Sequence, residues 1–72
     1  MPEPDAVPRF TVARARLASA VSFGLPPEVI TERRRDLAAS KIARDVERAL
    51  AVAPPLSDRQ VEALAAMLRG EQ

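Results

Sequence analysis

Ala53-Pro54-Pro55-Leu56-Ser57-Asp58-Arg59-Gln60-Val61 is the stretch on which the architecture turns. Its two consecutive prolines lack backbone donors and fix φ, so no helix runs through them, and the helix before them stops by residue 52. Ser57 is placed to cap the next helix. Its side-chain oxygen accepts from the backbone N–H three residues on, and Gln60 at that position reaches back, which completes a capping box. Leu56 before the cap and Val61 inside the helix make the accompanying hydrophobic-staple pair. The helix so started, over 57–69, carries Val61, Leu64, Met67 and Leu68 on one side, and Gly70 suits the residue that closes it.

Upstream of the hinge, nothing interrupts a helix over 27–52. Pro27 fits the first turn, where its missing N–H has no partner to lose. Glu28 and Glu32 sit where the helix dipole favours negative charge. At 1.5 Å per residue this helix is close to 40 Å long. Its apolar stripe, Ala38, Ile42, Val46, Ala49, Leu50 and Ala53, is expected to face the core. Gly24 and Pro26-Pro27 end a first helix over 9–22, whose apolar side is Phe10, Ala13, Leu17, Ala20 and Val21. Residues 1–8, with Pro2, Pro4 and Pro8, read as an unstructured arm. Period-2 alternation is missing, so no strand is expected. The expectation is an all-α fold with a single helical domain over 9–70. In it the short Pro-Pro turn folds the long central helix and the C-terminal helix into an antiparallel hairpin, and the first helix packs across it.

Composition narrows the function. A chain of 72 residues makes one small domain. It has no cysteine and no histidine, which excludes a disulfide framework, a cysteine-based zinc site and an imidazole base. Its serines and threonines therefore lack the usual activating group. The acids Asp36, Asp45, Glu47, Asp58 and Glu62 alternate with arginines along helices, as ordinary helical neighbours do; Mg²⁺ or Ca²⁺ sites need several oxygens converging, usually from a loop. Aromatics are 3%, Phe10 and Phe23 alone, which leaves few stacking surfaces for single-stranded nucleic acid. No enzymatic activity, cofactor, metal or small-molecule substrate is expected. No apolar run is long enough to span a membrane, and the acidic, proline-rich N-terminus lacks the apolar segment of a signal peptide, so the expected compartment is the cytoplasm.

The net charge of +1 hides an asymmetry. Residues 9–48 carry nine Lys/Arg against five acids, a local charge of +4, while residues 49–72 carry two against three, or −1. On the central helix Arg33, Arg34, Lys41, Arg44 and Arg48 fall within about 100° on a wheel of 3.6 residues per turn, with Ile30 and Leu37 among them. A basic face holding two aliphatics suits contact with an acidic protein surface or with phosphates. The same charges also serve as a solvated face that keeps an alanine-rich helix in solution, with the first helix covering the two aliphatics. A charge of +4 is small for tight binding to free DNA, which leaves direct DNA contact open.

Three segments carry a resemblance. They are Ala51-Val52-Ala53-Pro54-Pro55-Leu56-Ser57-Asp58-Arg59-Gln60, the closing Leu64-Ala65-Ala66-Met67-Leu68-Arg69, and the short basic Arg14-Ala15-Arg16-Leu17-Ala18. Together with the alanine-rich helix before the hinge, they resemble a family of small helical proteins of actinobacterial phages and prophages, which includes a recombination directionality factor of a mycobacterial prophage-like element. The resemblance implies an accessory protein that binds a serine integrase on DNA and favours excision, recombination between attL and attR. The residues taken to meet such a partner are Ile30, Arg33, Arg34, Leu37, Lys41, Arg44 and Arg48. The other reading is a helical interaction module of another complex, or a homo-oligomer whose paired hairpins complete a four-helix core.

Overall fold

Three helices, α1 (Phe10–Ser22), α2 (Pro27–Ala51) and α3 (Asp58–Leu68), make up the chain in the computed structural model, which describes residues 6–52 and 54–71. No strand occurs among the described residues. Every boundary lies within one residue of the sequence expectation, because each is set by a local device. Of the arm expected over 1–8, residues 1–5 lie outside the described residues, and residues 6–9 are non-helical.

Helix α1 ends in a Schellman motif. Gly24 takes φ 63. The Leu25 N–H donates to the Ala20 carbonyl at 3.0 Å, and the Gly24 N–H to that of Val21 at 3.2 Å. Helix α2 begins immediately after an extended Pro26, with Pro27 in its first turn, and gives way to an extended Val52 at φ −99, ψ 136. The capping box of α3 is formed in both directions. The Gln60 N–H donates to Ser57 Oγ at 3.1 Å, and the Ser57 N–H to Gln60 Oε1 at 3.0 Å. A second Schellman motif closes α3, with Gly70 at φ 77 and the Glu71 N–H donating to the Ala66 carbonyl at 2.8 Å.

The packed pair is α1 and α2. A four-residue link over 23–26 turns the chain back on itself, as in antiparallel helical hairpins. The register agrees with this sense: Phe10, at the start of α1, lies against Arg44 late in α2, and Ala20, at its end, shares a groove with Arg33. The tightest points of the seam are small side chains. Ala13 and Ala20 on α1 and Ser40 on α2 are each 1% exposed. Ser40 is tolerated there because its hydroxyl donates to the Leu37 carbonyl at 2.7 Å, so its polar group is partnered within the helix. Around these three lie half-buried Phe10, Leu17, Val29, Ile30, Leu37 and Ala43. Among the described residues Ser40 is the largest side chain to be fully buried, so the core is thin.

Three expectations are corrected. The hairpin joins α1 to α2, not α2 to α3, since among the described residues α3 makes no helix–helix contact. The expected core stripe of α2 also largely faces away from α1: Ala38 is exposed, and Ala49 alone of the stripe's described residues is half-buried. Ile42, Val46 and Leu50 are 44%, 45% and 63% exposed, and Ala53 lies outside the described residues. Val21 of α1, expected on the buried side, is exposed as well. Close helix contact accounts for the choice of face. Small residues bring two helix backbones together, and the aliphatic stem of Arg33, whose head lies 4.0 Å from Asp36, covers the edge of the seam. The hinge accounts for the partner. Two prolines cannot build the tight reversal that Gly24 allows, and the chain leaves them through an extended Ser57 at ψ 159. The radius of gyration, 14.8 Å, accordingly exceeds the roughly 11 Å of a compact chain of this length.

Candidate protein-contact surface

Helix geometry divides the basic residues of α2 into two groups. The face centred on Ser40 belongs to the seam, so Ile30, Arg33 and Leu37 are half-buried against α1. The structure thereby places both aliphatics of the expected contact face under the first helix. Arg34, Lys41 and Arg48 are spaced by seven residues, nearly two full turns, so they align along one exposed edge of α2 about 10 Å apart.

Arg44 lies between the seam and this edge. Its guanidinium sits 4.5 Å from the centroid of the Phe10 ring, within cation–π range. A groove of about 330 Å³ opens beside the pair, lined by Phe10, Lys41, Arg44, Asp45 and Arg48. Three cations thus face one carboxylate. Asp45 reaches Arg48 at 3.7 Å, but both side chains are largely exposed, and such a pair holds its partner weakly. The guanidinium groups offer planar forks for bidentate contact with carboxylates, and Lys41 adds a mobile point charge.

Sequence reasoning missed Phe10 as part of this surface. Its proximity to Arg44 depends on the register of the hairpin, and no local pattern encodes that register. Three of the other polar groups weighed as chemistry have structural roles. Asp36 pairs with Arg33, Ser57 caps α3, and Ser40 is enclosed in the seam. Among the described residues no group of three or more acids is gathered as a metal site. No helix among them is long and apolar enough to cross a membrane.

A second surface is apolar. The outer side of α2 shows Ile42, Val46 and Leu50, and α3 shows Val61, Leu64, Met67 and Leu68. Comparison of the chain with family models, with curated proteins and with solved structures gives no match in any of the three.

Proposed function

We propose that this chain is a non-catalytic accessory protein of phage or prophage type that binds another protein through the basic edge of α2, and that it acts as a recombination directionality factor, switching a DNA-bound serine integrase to excision. The observation that carries the protein-contact part is the exposed row Arg34, Lys41 and Arg48, widened into a groove by Arg44 on Phe10. Such a row matches a run of carboxylates on a partner helix or loop. The resemblance of residues 51–60 and 64–69 to the phage and prophage family supports the choice of partner. A second reading, a self-associating helical module, draws on the exposed apolar sides of α2 and α3.

The test is light scattering coupled to size-exclusion chromatography, with the serine integrase of the same mobile element bound to attachment-site DNA. Co-elution is expected for the native chain. It is expected to be lost in the Lys41→Glu/Arg48→Glu double variant, whose helicity stays unchanged because both side chains are exposed and outside the seam. Co-elution that survives the double charge reversal removes the basic edge from the reading. A native chain that never co-elutes removes the integrase.

A further inference from the structure

The groove beside Lys41, Arg44 and Arg48 opens where the chain enters the fold. It shares Phe10 and Arg44 with a larger groove of about 810 Å³, whose walls include Val7, Arg9 and Glu47. We infer that the acidic segment before this point, with Glu3 and Asp5, seats on these cations of its own chain, covers the groove in the free protein and gives way to an acidic partner. The inference rests on reading the basic edge of α2 as a contact surface, and adds to it a competitor carried by the chain itself.

Charge is the first argument. Arg9, Lys41, Arg44 and Arg48 line the two grooves together with two carboxylates, Asp45 and Glu47, which leaves two positive charges in excess. Residues 1–5, which lie outside the described ones, carry two acids and no basic side chain, so they match that excess. Arg9, Lys41 and Arg44 have no ion pair among the described residues, and Arg48 has only its exposed contact with Asp45. The acids of α3 do not contend for the same place, because α3 makes no helix–helix contact among the described residues.

Reach is the second argument, and it selects the same chain. Val7 and Arg44 line one groove, so the chain passes beside the cations two residues after Asp5 and four after Glu3. At no more than about 3.6 Å per residue, Asp5 stays within about 7 Å of Val7 and Glu3 within about 14 Å. The cations from Lys41 to Arg48 span about 10 Å of helix. Both acids therefore reach them with no change in the described fold. So short a tether sets an effective concentration on the order of millimolar, which lets individually weak exposed pairs hold the segment. The same weakness keeps it displaceable by a partner with a longer run of carboxylates.

The chain has no cysteine, so Pro2→Cys takes a single nitroxide label, and the test needs neither integrase nor DNA. At low salt, where exposed charges are least screened, the label is expected to broaden the amide signals of Lys41, Arg44 and Arg48. Glu3→Lys/Asp5→Lys should reduce that broadening several-fold, and adding Lys41→Glu/Arg48→Glu should restore it. Equal broadening with either sign of charge on the segment overturns its seating. Broadening found only between a spin-labelled chain and a separate isotope-labelled one overturns its origin in the same chain. A hexaglutamate peptide probes the competition. If the segment covers the groove about four-fifths of the time, Glu3→Gln/Asp5→Asn should raise the peptide's affinity about fivefold. Unchanged affinity in that variant overturns the competition. A peptide that binds neither chain overturns the acidic-partner reading instead, while the broadening still decides the seating.

Discussion

Gly24 closes α1 at φ 63 with open space where a β-carbon would go. Its requirement is therefore one of backbone conformation alone. Gly24→Ala should destabilise the hairpin by about 1–2 kcal/mol, the cost of a left-handed L-residue, read as a lower thermal midpoint. D-alanine at the same position, introduced by chemical synthesis, prefers that φ and meets no neighbour, so it should equal or exceed the glycine chain in stability. A D-alanine chain as weakened as the L-alanine one would mean that sterics, not φ, select the glycine. Ser40 shows a different kind of constraint. Its position is limited by volume, because α1 lies directly over it, and by polarity, because its hydroxyl is satisfied at 2.7 Å within its own helix. Arg44 shows a third, since stacking over Phe10 orders a guanidinium that would otherwise sample solvent freely.

At the scale of elements, the caps decide where helices are and the seam decides how they meet. Ser57→Ala removes the hydroxyl that accepts from the Gln60 N–H at 3.1 Å. The expected loss is about 1 kcal/mol, confined to α3, because α3 does not touch α1 or its own α2. Backbone chemical shifts across residues 58–68 should move toward coil while those of 10–22 hold. Loss of helicity in α1 would show a coupling between α3 and α1 that the helix contacts do not contain. This division explains what could be read in advance. Gly24, Pro26-Pro27, Pro54-Pro55, Ser57 with Gln60, and Gly70 are local signals acting within a turn of themselves, and they fixed all three helices to the residue or nearly so. The face of α2 that packs was not legible. Hydrophobicity pointed to Ile42, Val46 and Leu50, whereas close approach selected Ser40 and Ala43 with an arginine stem at the margin. The basic edge was legible as a charge pattern. Its reduction to Arg34, Lys41 and Arg48, and the placing of Phe10 under Arg44, needed the hairpin register.

At the scale of the molecule, a core in which no large side chain among the described residues is fully enclosed gives the hairpin little burial of its own. Chains this small usually draw stability from disulfides, metals or association, and this one has no cysteine. If the apolar sides of α2 and α3 are covered by a second copy, stability becomes a mass-action quantity. The thermal midpoint should then rise steadily with protein concentration. A midpoint that stays constant over the same series would mean that the hairpin carries its stability unaided.

The Pro54-Pro55 hinge also has a meaning in polymer terms. Proline segments are extended and semi-rigid, advancing about 3.1 Å per residue, so the hinge works as a tether with little slack. The effective concentration of α3 at its own α2 is correspondingly low, because a tether that bends poorly seldom brings its two ends together. A second chain is under no such restraint. The hinge that ends α2 so abruptly therefore biases the competition between closing on itself and reaching for another molecule. Loosening it with glycine and serine would shift that balance toward self-closure.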